Sequence, residues 1–272
     1  MPDLKQPSGA VGMSVTPIEA RPALRWQDQS ADYRDVLAKR AKKEVERLSK
    51  LAKGVHPRHC PICSYHGRFT PFGVPPRLDA QCAGCGSLER HRQFALCHFD
   101  TGLLHSEAKV LHFAPEAQLR KFIKSRVATY ETAELSDSFT VTHYVDIEDT
   151  GLPDAAYDLI VCNHVLEHVD DAKALSEFLR ILKPGGVAIV SFPICEGWEK
   201  TYENPEITTR PLRKLHFGQG DHIRLFGRDV RARIREAGFD LTEYTAVEPD
   251  VLTYGLMRGE TLFVAKKPAK KA

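Results

Sequence analysis

No apolar stretch in this 272-residue chain approaches the roughly 20 residues that span a bilayer, so no membrane helix is expected. The opening residues, MPDLKQPSGAVG, have no apolar core of the kind a secretory leader needs, and a cytoplasmic location is the expectation. Formal net charge is only +2, which does not call for nucleic acid as a partner. Nowhere does the chain read G-x-G-x-x-G, so it offers no cradle for a pyrophosphate, and a dinucleotide oxidoreductase is disfavoured. The seven cysteines are odd in number, and four of them fall in two C-x-x-C pairs. In a reducing compartment that pattern favours a metal over disulfides.

What is present is first a core: 42% of residues are apolar, enough for one large α/β domain and a smaller one. The stretch Tyr157 to Pro193 organises the rest. Leu159 to Cys162 is an apolar run of strand length ending in Asn163 and His164. Leu175, Phe178, Leu179 and Leu182 then recur at helical spacing, and Lys183-Pro184-Gly185-Gly186 is expected to stop that helix before a second strand from Val187 to Phe192. Strand, helix, turn and strand make a βαβ unit and imply a parallel sheet.

Residues 1–30 are rich in Pro, Gly, Ser and Ala and are expected to be disordered; 31–55 read as a helix with an apolar face over Val36, Leu37, Ala41, Val45, Leu48 and Leu51. Residues 56–100 hold Cys60-Pro-Ile-Cys63 and, after an 18-residue gap, Cys82-Ala-Gly-Cys85. Four thiolates so arranged close a tetrahedron, so Cys60, Cys63, Cys82 and Cys85 are expected to hold a structural zinc ion, with His56, His59 and His66 as spare candidates. In GSLERHR, Ser87 is the expected cap of a helix from Leu88 to Leu96, with Arg90, His91 and Arg92 facing an anion or solvent. Residues 105–267 carry strands at 109–113, 127–132, 141–145, 159–162, 187–192, 241–245 and 261–265, and 268–272 form a basic tail.

In an open α/β sheet the ligand lies beyond the carboxyl ends of the strands. There stand Phe113 to Glu116, Glu134, Asp146 with Ile147, and Asn163 with His164. A carboxylate such as Glu134, 18 residues beyond Glu116, suits a ribose diol, and Asp146 with Ile147 suits an adenine.

The order DI-x-x-x-x-LP, YDLIV-x-NHVLEHV and RILKPGG resembles the class I S-adenosylmethionine-dependent methyltransferases over about Lys109 to Ala265. The double knuckle, GSLERHR, HFAPE and DHIRLFG together resemble a zinc-ribbon-bearing bacterial subgroup. The resemblance implies a Rossmann-like seven-stranded methyltransferase sheet with its last strand antiparallel. It also implies S-adenosylmethionine as cofactor, bound near Phe113, Ala114, Glu116, Glu134, Asp146, Ile147, Asn163 and His164. One departure stands out: the family carries an acid and several glycines after strand one, where this chain reads His112-Phe113-Ala114-Pro115-Glu116. His222 and His164 are the favoured catalytic bases, beside Glu167, His168, His216 and Asp221. The acceptor expected is a small-molecule or glycan hydroxyl. A non-catalytic protein using its ribbon for interaction, and an RNA or protein methyltransferase, are the alternatives.

Overall fold

The structure, a computed structural model, describes residues 30–137 and 140–269. The expected disorder of residues 1–30 lies, Ser30 apart, outside the described residues, as do residues 270–272 of the tail. The chain divides into two compact units, 1–47 and 48–272. Helix α1 (Ser30–Ala52) forms as its spacing predicts, yet Val36, Leu37, Val45 and Leu48 are exposed on it. Charged residues interrupt them, in KRAKKEVER, leaving too narrow a stripe to bury. Among the described residues no helix is long and apolar enough to cross a membrane.

The second unit opens with two small antiparallel hairpins. In the first, β1 (Pro57–His59) pairs with β2 (His66–Arg68); in the second, β3 (Thr70–Phe72) pairs with β4 (Arg77–Gln81). Helix α2 (Glu89–Thr101) follows and ends at Gly102 in the left-handed conformation, φ 69°. Its cap is not Ser87. Leu88 takes the cap position, and its backbone N–H donates to Nδ1 of His91 one turn on, at 3.0 Å.

The remaining elements build the large sheet. They run β5 (Lys109–Phe113), α3 (Ala117–Lys124), β6 (Thr129–Glu134), β7 (His143–Tyr144), β8 (Tyr157–Asn163), α4 (Asp171–Ile181) and β9 (Leu182–Ser191). After them come β10 (Tyr202–Glu203), α5 (Arg210–Phe217), β11 (Arg224–Leu225), α6 (Val230–Glu236), β12 (Asp240–Thr245), α7 (Asp250–Tyr254) and β13 (Thr261–Lys266). The seven-stranded order is β12-β13-β9-β8-β5-β6-β7. β13 runs antiparallel to both neighbours and every other pair is parallel, the Rossmann-like arrangement the resemblance implies.

Period-two alternation sends apolar residues to both faces, as a doubly covered sheet requires. Leu111, Phe113, Ile160 and Cys162 pack on one side with Leu175 and Phe178 of α4 and Ile234 of α6. Val110, Leu159 and Val161 pack on the other with Phe94 of α2 and Leu119, Phe122 and Ile123 of α3.

Two local expectations fail. The third strand reduces to His143–Tyr144, an edge paired only with Ala133 and Glu134. The Lys183-Pro184-Gly185-Gly186 run lies inside β9 and does not precede it. The helix has already ended at Ile181, and the run forms an irregularity against β8, whose register shifts between Tyr157 and Leu159. Gly185 sits at φ 80°, and a Cβ on Gly186 would come within 2.9 Å of the Lys183 carbonyl oxygen, so neither position tolerates a side chain cheaply. The long connection after β9 contains β10, α5 and β11.

Candidate active site

The carboxyl ends of β5, β6 and β8 open on a cavity of about 290 Å³. Phe113, Ala114, Glu134, Asp146, Ile147 and His164 line it, with Val165 and His168 beside them. The topology does this, since β5 is central and the chain reverses strand order on either side of it. Backbone bonds hold the rim: Ala114 N–H donates to the Ala133 carbonyl at 3.0 Å, and His164 N–H to the Ser191 carbonyl at 2.7 Å. Ala114 (φ 44°) and His164 (φ 54°) are both left-handed, a conformation an L-residue adopts at a cost. Ala114 thus takes the backbone shape a glycine would normally supply after the first strand. Burial raises the carboxyl pKa of Glu134, a rise that the Leu135 backbone and the charge of Arg120 partly offset. Oδ1 of Asp146 accepts the Glu148 N–H at 2.9 Å, which fixes the turn carrying Ile147.

Glu116 and Asn163 stand behind that wall and are bonded to each other: Asn163 Nδ2 donates to Glu116 Oε2 at 3.1 Å. The second carboxylate oxygen takes Arg90 Nε at 2.7 Å and His91 Nε2 at 2.7 Å. Because His91 Nδ1 already accepts from Leu88, its proton lies on Nε2 and points at Glu116. Burial pushes the Glu116 carboxyl up, but these donors and the Arg90 charge outweigh it and hold the group down at about 2.

GSLERHR therefore turns its charged residues largely inward, and the anion that Arg90 and His91 meet is the chain's own Glu116. Arg90 and His91 reach the loop after β5, and Arg92 is fully buried. Arg92 donates to the carbonyls of Tyr254, Ser87, Ala80 and Gly255 and lies over the Phe69 ring at 4.6 Å. Glu89 pairs with Arg77 at 2.8 Å. Nothing in the spacing distinguishes a buried arginine from an exposed one; only the carbonyls converging from distant segments do. Arg224 repeats the pattern: it is buried and bonded to the carbonyls of Leu166 and Val169 and to Asp171 and Glu203.

Among the base candidates, His164 lies on the cavity wall with its side chain 37% exposed. His222 is buried, its ring edge-on to that of His168 with centroids 4.7 Å apart. His216 bonds to the Tyr202 hydroxyl at 2.7 Å, away from the cavity. The Cys97 thiol is buried, its pKa pushed up to about 11, and it packs as a core residue.

The four cysteines come together as two copies of one turn. Cys60 N–H donates to the Tyr65 carbonyl and Ser64 N–H to the Cys60 carbonyl; Cys82 N–H donates to Ser87 and Gly86 N–H to Cys82. Ser64 and Gly86, equivalent in the two turns, are both left-handed. Across the turns, Cys60 Sγ lies 3.7 Å from Cys85 Sγ and Cys63 Sγ lies 3.7 Å from Cys82 Sγ. Four sulfurs about 2.3 Å from a central zinc would be about 3.8 Å apart, so the set fits that ion. The three neighbouring histidines do not join it.

Residues 82–190 match the family described as Methyltransferase domain. Among curated proteins, the chain is 35% identical over 116 residues to the methyltransferase tpcH of Aspergillus fumigatus, covering 40% of each chain. It is 33% identical over 129 residues to the ubiquinone/menaquinone biosynthesis C-methyltransferase UbiE of Vibrio cholerae, covering 41% of this chain and 50% of that one. The chain thus spans half or less of the length of these relatives. Among solved structures, YcgJ of Bacillus subtilis superposes with a TM-score of 0.45 at 14% identity, covering 65% of this chain and 99% of that one. The matched segment runs from the second cysteine pair into β9, and over that stretch the chain is similar to methyltransferase domains.

Proposed function

We propose that the protein transfers a methyl group from S-adenosylmethionine to an oxygen of a small molecule or glycan. The observation that carries this reading is the cavity where left-handed Ala114, Glu134 and the Asp146-Ile147 pair converge at three neighbouring strand ends. S-adenosylmethionine, when bound, supplies an electrophilic methyl on a sulfonium. Glu134 accepts hydrogen bonds from a ribose diol, Asp146 accepts from an adenine amino group, and Phe113 and Ile147 wall the base. Ala114, having no side chain beyond Cβ, lets the backbone approach closely. Glu116 is committed to Arg90, His91 and Asn163, and its contribution is to hold the Phe113–Glu116 loop in place.

His164 is the base nearest an acceptor in the cavity. Its imidazole would take the hydroxyl proton as the methyl carbon exchanges its bond to sulfur, which leaves as a neutral thioether, for a bond to oxygen, while the rim holds the acceptor in line. The four cysteines hold zinc as a structural ion: the set is coordinatively closed, and the two small hairpins have little core of their own. Net charge of +2 and few ribbon aromatics speak against nucleic acid as acceptor.

Calorimetric titration with S-adenosylmethionine, followed by mass spectrometry of hydroxylated metabolite pools incubated with labelled cofactor, tests the reading. Heat on mixing, with weaker binding in Glu134→Ala, and label on an oxygen are expected. Absence of heat at high micromolar protein would leave a binding protein on a methyltransferase fold. Label on carbon would retain the activity and overturn the acceptor.

A further inference from the structure

Beside the cavity, three side chains remain that neither the cofactor reading nor the zinc reading uses. Glu167 is 2% exposed, and both of its carboxylate oxygens are buried without a hydrogen-bond partner. A buried carboxylate left without donors is costly enough to need a cation or a proton. His164 Nδ1 lies 3.4 Å from Oε1 without forming a hydrogen bond. His222 is 3% exposed, and its Nδ1 is likewise buried without a partner. One ligand atom from each of Glu167, His168 and His222 falls within 4.8 Å of the others.

The rings are turned as metal ligands are. His168 Nδ1 lies 3.2 Å from the Asp221 carbonyl oxygen; donating its proton there leaves the lone pair on Nε2. His222 Nδ1 is buried without a partner, so its lone pair is open to an ion. A backbone carbonyl on the far N–H, as at His168, is the usual support of a metal-binding imidazole. The two segments are fastened on either side of the cluster. Ile223 N–H donates to the Glu167 carbonyl at 3.0 Å, and Arg224 Nη1 donates to the Leu166 carbonyl at 3.1 Å.

We infer that Glu167, His168 and His222 bind a divalent first-row transition ion. Two imidazoles and one carboxylate leave coordination positions open. Ligand atoms on a tetrahedral ion at 2.0–2.1 Å are about 3.4 Å apart, so each pair need close by no more than about 1.4 Å. His168 also lines the cavity, so an acceptor oxygen there is placed to complete the coordination and be polarised. That role rests on the proposed methyl transfer; the binding of the ion does not.

Cobalt(II) is the probe. The full chain is dialysed against Co²⁺ up to about 1 mM, a range that reaches weak sites, then analysed for metal content and optical spectrum. Expected are two divalent ions per chain. A cobalt among thiolates shows intense near-ultraviolet charge-transfer bands, whereas one at two imidazoles and a carboxylate shows only weak visible bands. His222→Ala and Glu167→Gln each remove one ion and the visible bands attributable to nitrogen and oxygen ligands, with the thiolate bands intact. His168→Ala, at the more exposed edge of the cluster, does the same even if a buried substitution prevents folding. A wild-type chain with no non-thiolate ion overturns the inference, as does a second ion that persists in all three variants. Loss of the thiolate bands alone strikes the four-cysteine site, and failure to transfer methyl strikes only the activity.

Discussion

Replacing Glu116 with glutamine removes the charge on which Arg90, His91 and Asn163 converge, and its cost can be worked from the structure. A carboxyl moved from an ordinary 4.5 to about 2 in the fold stabilises it by roughly 3 kcal/mol at neutral pH. The carboxyl is depressed, so the stabilisation is fully present above pH 4.5 and is lost as pH falls through 2. Linkage arithmetic leaves roughly 1.4 kcal/mol of it at pH 3. Urea denaturation of wild type and Glu116→Gln, measured in parallel from pH 7 to pH 3, reads the difference directly. Titration of every other acid cancels between the two proteins. A gap of a few kcal/mol that narrows by more than half is expected. A gap that is constant across this range, or under about 1 kcal/mol at pH 7, would refute the assignment of Glu116 as a charged anchor.

Cys60→Ser is expected to lower bound metal by one ion per chain and to cost several kcal/mol of stability, checked by elemental analysis and thermal unfolding. Arg92→Leu removes the donor shared by the carbonyls of Ala80, Ser87, Tyr254 and Gly255 and is expected to destabilise by about 3 kcal/mol in the same assay. Glu134→Ala is expected to weaken cofactor binding about tenfold to a hundredfold by calorimetry, the worth of hydrogen bonds to a charged acceptor. Wild-type cofactor affinity is expected to fall on acidification, starting at a higher pH than an ordinary carboxyl would give, because burial raises Glu134.

The sheet was legible because its strands are short apolar runs with polar ends and its helices keep a 3.6 period. β5 matches its expected bounds, and β6, β8, β12 and β13 fall within two residues of theirs. The four cysteines were legible because a tetrahedron imposes its spacing. What escaped was decided by partners far off in the chain. Arg92 is buried because carbonyls from residues 80, 87, 254 and 255 meet there, a convergence no local pattern reveals. Pro184-Gly185-Gly186 reads as a helix stop, and locally it follows one, but Leu182 and Val187 on either side pair with β8, and Gly185 and Gly186 bond to Lys267, which draws the run into a strand. The apolar stripe of α1 shows the reverse: a period alone does not bury a face. At the cavity, the strand ends named Glu134, Asp146 and His164, while the commitment of Glu116 to Arg90 depended on a contact 26 residues away.

Arg90 and His91 also change what the ribbon is. A chain begun at Lys109 would keep all seven strands, yet it would strand an acid in the interior with Asn163 as its sole remaining partner of the three. The sheet is therefore not an autonomous piece with the cysteine hairpins and α2 merely attached. The two share one electrostatic joint.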